Sequence, residues 1–129
     1  MILYKEQYFF IAVSIFLFSS ISHAIPHEFA VLQTLDKVTA RVSTVQVNIG
    51  EILNLGTLKI KVHACDKRPP EEIPESAVFL NIWEGQYTDD SVNIFSGWMF
   101  ASSPGLNALE HPVYDVWVIN CKNPIKKLE

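Results

Sequence analysis

The chain has 129 residues and a formal net charge of −4, from 10 Lys and Arg against 14 Asp and Glu, and 49% of its residues are hydrophobic. This acidic balance, without a basic stripe, argues against a nucleic-acid-binding protein. The length is enough for one domain with a single hydrophobic core.

The first 24 residues have the pattern of a cleavable signal peptide. Residues 8–18 are apolar, and Ser22 and Ala24 place small side chains at positions −3 and −1 of a cleavage site. The apolar run is shorter than the ~20 residues that span a bilayer. We therefore expect cleavage after Ala24 and export to the periplasm, although an uncleaved anchor stays open. The exported chain, residues 25–129, would have no transmembrane segment.

Two cysteines, Cys65 and Cys121, remain in this exported chain. An even number of cysteines in an oxidising compartment indicates a disulfide. The alternative is a zinc site that adds His63 and His111, but the sequence lacks the paired short spacings that are typical of zinc ligands. We predict the disulfide, no metal and no other cofactor.

The hydrophobic pattern after residue 35 alternates with the period of β-strands. Strands are predicted at residues 36–43, 44–50 and 58–65. The apolar positions change parity between Val42 and Val45, which predicts a β-bulge or a bend between sheets. The inward-facing apolar residues of the third strand would be Leu58, Ile60, Val62 and Ala64.

The second half of the chain continues the strand pattern. Further strands are predicted at residues 77–83, 92–100 and 113–121. Many short strands separated by Gly and Pro turns predict an all-β fold, as a small antiparallel β-sandwich or barrel. Residues 25–129 would form this single β domain, with the core between about residues 35 and 121.

Two connections in this half differ in character. Residues 66–76 contain three prolines and six charged residues, which excludes a strand or a helix interior. We expect the carboxylates of this loop to be solvated. Residues 106–109 have the pattern of one short helical turn, ended by Pro112.

The last predicted strand is apolar on both faces, with Trp117 and Val118 on opposite sides, which is typical of a central strand. Its Cys121 shares parity with Trp117, whereas Cys65 shares parity with Lys61 on a polar face. Either the chain bulges or twists before Cys65, or the Trp117 face is partly a surface. The pattern leaves both alternatives open.

Aromatic residues make up 12% of the chain, and we expect most of them in the core. Trp98 follows Gly97, and Trp83 ends a strand before Gly85, so these two are the aromatics that we expect at the surface. An exposed aromatic ring can hold a sugar ring or the apolar groups of a protein partner.

Candidates for a nucleophile, a base and an orienting acid are Ser96, Ser102, Ser103, His111 and Asp115. The sequence around them lacks the Gly-x-Ser-x-Gly elbow and the long helix of an esterase. The serines before Pro104 are more typical of a turn or a cap. We predict a hydrogen-bonded anchor at His111 and assign no catalytic residue.

The segments FSGWMFASSPGLNALEHPVYDVWVINC, LDKVTARVS and CDKRPPEEIPESA resemble the uncharacterised exported proteins of alphaproteobacteria grouped as domain of unknown function 2155. The resemblance runs from about Leu35 to Cys121 and includes both cysteines. It implies an envelope protein of a Gram-negative cell. It transfers no catalytic residue, because the family offers none.

We therefore expect a non-enzymatic periplasmic binding or envelope-assembly module that contacts a protein partner. The candidate binding residues are Trp83, Trp98, Ser102, Ser103 and His111. A glycan- or peptidoglycan-binding domain that uses exposed aromatics is the first alternative, and a serine hydrolase is the second. We expect no nucleic-acid partner, and the sequence leaves the oligomeric state open.

Overall fold

The computed structural model describes residues 25–85 and 91–124. The predicted signal peptide, most of the polar turn before Val92 and the end of the chain lie outside the described residues. The described strands are β1 (Ile25–Pro26), β2 (Phe29–Asp36), β3 (Arg41–Asn48), β4 (Ile52–Leu55), β5 (Leu58–Lys67), β6 (Ser76–Glu84), β7 (Val92–Phe100) and β8 (Tyr114–Lys122).

These strands form two antiparallel sheets. The larger, five-stranded sheet has the order β1-β5-β6-β7, and β4 also pairs with β5; the smaller, three-stranded sheet has the order β3-β2-β8. The inner faces of both sheets contribute to one buried cluster, so the sheets pack face to face. The predicted all-β antiparallel fold is confirmed. The described strands do not close into a barrel.

The start of the domain differs from the prediction. The segment before residue 37 forms β2, where the sequence pattern indicated no strand, and residues 37–40 turn the chain into β3. The two strands pair residue for residue without a register shift, so the predicted bulge is wrong. The parity change arises because Val42 lies on the outer face, 52% exposed, whereas Val45 packs against the core.

The core is aliphatic. Its buried residues are Ala30, Leu32, Val47, Leu58, Ile60, Val62, Cys65, Val78, Leu80, Ile82, Met99, Leu109, Val116, Val118 and Cys121. No aromatic side chain of the described residues is fully buried, so the expectation that most aromatics form the core is wrong. Branched aliphatic side chains from two facing sheets fill the ~10 Å gap between them, and the rings lie partly exposed around it.

A bulge in β5 brings Cys65 into the core. Leu58, Ile60 and Val62 are buried as predicted. The register with β6 then shifts between Val62 and Ala64, which leaves Ala64 off the inner face and turns Cys65 inward. An extra residue in one strand has this effect because side chains alternate between the two faces. The bulge before Cys65, one of the two predicted alternatives, is therefore present.

A second bulge, in β8, does the same for Cys121. The register with β2 passes from Val118 directly to Asn120, so Ile119 is the extra residue and is 45% exposed. Cys121 then faces inward with Val118. The predicted Cys65–Cys121 disulfide is present, with Cα atoms 5.7 Å apart, and it joins the larger sheet to the smaller one.

Strand β8 is an edge strand, not the predicted central strand, because among the described strands it pairs only with β2. The outer apolar face of β8 is covered by another part of the chain rather than by a strand. Pro104 and Ala108, from the connection after β7, line a pocket together with Trp117. The connection therefore lies against the outer side of β8, which explains why both faces of the strand are apolar.

This connection, residues 101–113, crosses from one sheet to the other. The helical turn predicted at residues 106–109 is not formed. The chain instead turns just before it, where the Leu106 N–H donates to the Ser103 carbonyl oxygen at 3.0 Å. Leu109 is 4% exposed and packs into the core. Burial of Leu109 takes the chain away from a helical path.

Candidate binding groove

The outer face of the larger sheet carries a row of aromatic rings. Every second residue of β6 from Ser76 is buried, so Ala77 and Phe79 point outward. Their register partners in β7 are Phe100 and Trp98. The Phe79 and Trp98 rings meet edge to face, with ring centroids 5.5 Å apart. Strand pairing thus places Trp98 and Phe100 next to each other on this face.

A pocket of about 380 Å³ lies at the end of this row, and we call it the Trp98 groove. Its apolar lining comes from Ala77, Trp98 and Phe100. Its charged lining comes from the end of β5 and the 66–76 loop, through Asp66, Lys67, Arg68 and Glu75. A concave apolar surface beside a few polar groups is the usual composition of a ligand site.

Trp98 is exposed and yet held in place. It is 37% exposed, although its ring packs against the Phe79 ring. The Trp98 carbonyl oxygen accepts a hydrogen bond from Asn107 Nδ2 at 2.8 Å. The Asn107 side chain lies over Gly97, where an added Cβ would come within 3.0 Å of Nδ2. Gly97 therefore leaves room for the contact that fixes the backbone of Trp98.

Glu75 ties the 66–76 loop to the connection after β7. Its carboxylate accepts hydrogen bonds from the Ser102 N–H at 3.0 Å and from the Ser102 hydroxyl. The Ser76 N–H donates to the same carboxylate at 3.1 Å. The Glu75 carbonyl oxygen also accepts from the Arg68 N–H at 3.0 Å, which closes the loop on itself. The expectation that this carboxylate is simply solvated is wrong.

These contacts change the acidity of Glu75. Burial by itself raises the pKa of its carboxyl group, but the hydrogen bonds from Ser102 and Ser76 and the charge of Arg68 outweigh burial, so the pKa is lowered. A carboxylate with a lowered pKa stabilises the folded state above the ordinary glutamate pKa of about 4.3. This contribution is lost as the pH falls through the lower pKa of the folded state.

Acid is therefore expected to loosen the Trp98 groove through Glu75. In the wild type, tryptophan emission should change below about pH 4, before the fold as a whole is lost. In Glu75→Gln this step should be missing, because no carboxylate titrates there. Glu71→Gln, in an exposed position of the same loop, is the matched control and should keep the wild-type profile. Identical pH profiles for the wild type and Glu75→Gln would contradict the assignment.

The opposite side of the 66–76 loop borders a second pocket, of about 450 Å³. It is lined by His27, Lys67, Arg68, Pro69, Pro70, Glu72 and Pro74. The prolines fix the backbone angle φ, so the loop loses little further freedom when it is ordered. Because Lys67 and Arg68 line both pockets, the loop forms the wall between them.

The structure brings together only some of the candidate binding residues. Trp98 lines the groove, and Ser102 holds the loop that borders it. Ser103 is exposed beside them and donates its N–H to the Phe100 carbonyl oxygen at 3.3 Å. Trp83 points to the same face of the sheet but lies ~13 Å further along β6, outside the groove.

His111 lies elsewhere, as a buried anchor. Its side chain is 7% exposed, and its Nε2 lies 3.1 Å from the Glu84 carboxylate. Its Nδ1 accepts the N–H groups of Val113 and Tyr114, both at 3.1 Å. An accepting Nδ1 places the ring proton on Nε2, which donates to Glu84. The ring also stacks on Tyr114, with centroids 5.5 Å apart.

The serines of the hydrolase hypothesis make other contacts. The Ser96 hydroxyl donates to Asn81 Oδ1 at 2.9 Å, and the Ser102 hydroxyl donates to Glu75. Both ring nitrogens of His111 are used in the hydrogen bonds given above. The described residues therefore do not assemble a serine–histidine pair.

Two residues of the groove were not identified as binding candidates from the sequence. Phe100 could have been found by counting two residues onward from Trp98 in the predicted strand. No pattern in the neighbouring sequence indicated the role of Glu75, because its partner Ser102 is 27 residues away in the chain.

Within residues 25–85 and 91–124, no three His, Cys, Asp or Glu side chains lie close enough to hold a metal ion. No helix in these ranges is long and apolar enough to cross a membrane. The disulfide is typical of proteins in an oxidising, extracytoplasmic compartment.

Comparison with known families matches residues 30–121 to the family described as "Uncharacterized protein conserved in bacteria (DUF2155)". The chain belongs to this family. The DUF2155 region begins and ends at Ala30 and Cys121, which face each other in register between β2 and β8. It therefore includes β3 to β7, nearly all of β2 and β8, the disulfide and the Trp98 groove, and the family predicted from the sequence is confirmed.

One relative is an uncharacterised protein of Rickettsia prowazekii (strain Madrid E), 32% identical over 87 residues. The match covers 67% of this chain and 56% of the Rickettsia protein, so this DUF2155 chain spans little more than half of that relative. No solved structure is significantly similar to the chain.

Proposed function

We propose that the chain is a non-enzymatic binding or assembly module of the bacterial periplasm, which contacts an envelope protein through the Trp98 groove. The observation that carries this proposal is the 37% exposed Trp98, whose ring packs edge to face on Phe79 and whose backbone is held by Asn107. Tryptophan is enriched among the residues that dominate binding energy at protein interfaces. A ring that already packs on a neighbour, on a backbone that is held in place, loses less conformational entropy on binding.

The charges around the groove favour a polar, directional ligand over a purely apolar one. Two acidic residues, Asp66 and Glu75, and two basic ones, Lys67 and Arg68, line it. Charges of both signs around an apolar centre fix the orientation of a partner and exclude wrong ones. A segment of a protein that carries an apolar side chain between charged ones has the matching chemistry.

A periplasmic location fits two features of the chain. The disulfide between Cys65 and Cys121 needs an oxidising compartment to form and persist. The N-terminal 24 residues have the pattern of a signal peptide.

Trp98→Ala is expected to remove partner binding while the domain stays folded. A photo-crosslinking residue in place of Arg68 should capture one recurrent envelope protein in living cells. Trp98→Ala should reduce this crosslink by at least ~10-fold, since buried interface tryptophans contribute 2 kcal/mol or more. The free energy of unfolding should fall by no more than about 1 kcal/mol, because the ring is partly exposed.

Trp83→Ala is the matched control, because Trp83 points outward from the same sheet outside the groove. It should leave the crosslink unchanged. A recurrent crosslink that survives Trp98→Ala would contradict the proposal, as would the absence of any crosslink from Arg68.

A glycan-binding function is the second candidate. Its support is the combination of an exposed indole face with the carboxylates of Asp66 and Glu75, since sugars stack on aromatic rings and donate hydroxyl hydrogen bonds to acids. Peptidoglycan fragments should then change the tryptophan emission of the wild type and not of Trp98→Ala. Unchanged emission across a panel of cell-wall fragments would exclude it. We do not propose a serine hydrolase, because both nitrogens of His111 bind within the scaffold.

A further inference from the structure

The edge strands of the two sheets differ in how their outward backbone groups are used. In an antiparallel pair, every second residue bonds to the neighbouring strand and the others point away from it. At an edge these outward groups form a template for another strand, and proteins usually block them. The described edges are β7, β4 and the two-residue β1 in the larger sheet and β3 and β8 in the smaller.

The β7 edge is blocked at its groove end by the connection that follows it. The Trp98 carbonyl oxygen accepts from Asn107 Nδ2 at 2.8 Å. Two residues on, the Phe100 carbonyl oxygen accepts from the Ser103 N–H at 3.3 Å. The end of this edge next to the groove is therefore closed to another strand.

The β8 and β4 edges are blocked in other ways. The Val116 N–H donates to the Asp115 side chain at 3.0 Å, and the Cys121 N–H donates to the Asn120 side chain at 2.9 Å. Strand β4 has only 4 residues, and shortness is itself a common protection of an edge.

The β3 edge has none of these protections along its middle. The Ile49 N–H bonds to the Glu28 carbonyl oxygen at 3.0 Å, which sets the phase of the ladder between β2 and β3. Every second residue back from Ile49 therefore bonds to β2, and the residues between them, Val42, Thr44 and Gln46, carry the outward backbone groups of β3. No described residue donates to these groups or accepts from them.

The sequence of β3 favours strand pairing. Residues 42–47 (VSTVQV) carry no charge and no proline, and four of the six are β-branched. The strand has 8 residues, pairs with β2 without a bulge, and is exposed at residues 41–44 and 46. Charged side chains, prolines and bulges are the usual devices against edge pairing, so this edge has the properties of one that is normally covered.

We propose that β3 pairs antiparallel with β3 of a second copy of this chain, around a two-fold axis at Thr44. This register places Thr44 opposite Thr44 of the second copy and Val42 opposite Gln46. The outward groups then exchange about six hydrogen bonds, two for each of the three residue pairs. The smaller sheets of the two copies become one continuous sheet.

The ends of β3 explain why the occupant is a second copy. Arg41 lies at one end of the strand and Glu51 just beyond the other, and both are exposed. An antiparallel two-fold arrangement brings the Arg41 end of each copy to the Glu51 end of the other, which is a favourable opposition of charge. Opposed threonines are also a favourable cross-strand pair.

The test is the mass in solution of the protein purified from cells that express the full chain, measured by sedimentation across a concentration series. The wild type should be a dimer that dissociates on dilution. Thr44→Lys should weaken dimerisation at least ~10-fold, because it places two like charges directly opposite each other. Ser96→Lys, an exposed position in β7 with the same change of charge, should leave it unchanged.

A mixture of variants tests the two-fold register itself. Thr44→Lys and Thr44→Glu should each be monomeric alone and should form a mixed dimer when combined. In the wild type, amide hydrogen exchange of Val42, Thr44 and Gln46 should accelerate on dilution, while exchange of Ser43 and Val45 stays slow. A wild type that is monomeric at every concentration would overturn the proposal and direct attention to a strand of another protein. A dimer that tolerates Thr44→Lys, or a mixture that stays monomeric, would also overturn it.

Discussion

Replacement of Cys65 and Cys121 together by alanine is expected to lower the free energy of unfolding by about 4 kcal/mol. The disulfide closes a segment of 56 residues and cross-links the two sheets. Its loss gives the unfolded chain more freedom, and it also removes two sulfur atoms from the core, where the cysteines are 2% and 1% exposed. Urea unfolding of the double variant and the wild type measures the difference.

Reduction of the wild type is the control for this result. The reduced protein should show a loss close to that of the double alanine variant, because both lack the cross-link. Asp66, which follows Cys65, lines the Trp98 groove, so partner capture should also weaken. A loss in stability below about 1 kcal/mol would show that the disulfide is not the main link between the sheets.

His111→Ala is expected to cost about 3 kcal/mol of stability. The substitution leaves the N–H groups of Val113 and Tyr114 without their acceptor and removes the hydrogen bond to Glu84. Buried donors without a partner cost more free energy than the bond itself contributes. The Lys37 side chain donates to the His111 carbonyl oxygen at 2.8 Å, and this hydrogen bond would then join a less ordered part of the chain around residue 111. Thermal and urea unfolding measure the loss.

Two milder variants separate the contacts of His111. His111→Asn keeps an acceptor near the backbone N–H groups and should recover part of the stability. Glu84→Gln should cost less than about 1 kcal/mol, since the Glu84 side chain is 45% exposed. If His111→Ala kept full stability and lost partner capture, His111 would be a binding residue and its assignment as an anchor would be wrong.

Most strands after residue 58 could be predicted from the sequence, but β2 could not. In β5 and β6 buried and exposed residues alternate, and the hydrophobic pattern shows this period directly. In β2 the residues Ala30, Val31 and Leu32 are buried in succession, so no alternation marks the strand. Strand β2 is central in its sheet, and its outer face is partly covered as well.

The faces of the strands on which the two cysteines lie could not be derived from the sequence. A bulge is not visible in the two-residue alternation of apolar and polar side chains along a strand. Ile119 interrupts β8, and the register of β5 shifts between Val62 and Ala64. Each shift moves the cysteine beyond it to the opposite face. The sequence could indicate a conflict of parity, but only the register of the partner strands resolves it.

The candidate site was predictable where it depends on local pattern. Trp98 stood out because it follows Gly97, and the structure shows the Asn107 contact that this glycine allows. The role of Glu75 depends on a contact with Ser102 between two loops, for which the chain has no repeating signal. The aromatic core failed as an expectation because rings and aliphatic side chains look alike in a hydrophobic pattern.

The most direct test of the account is the accessibility of Trp98 in the presence of the captured partner. In a Trp83→Phe/Trp117→Phe variant, Trp98 is the one remaining tryptophan and is the source of the tryptophan emission. Iodide should quench this emission readily, because Trp98 is 37% exposed. Addition of the partner should shield it and reduce the quenching to that of a buried indole. Unchanged quenching while the partner is bound would place the interface elsewhere and contradict the assignment of the Trp98 groove.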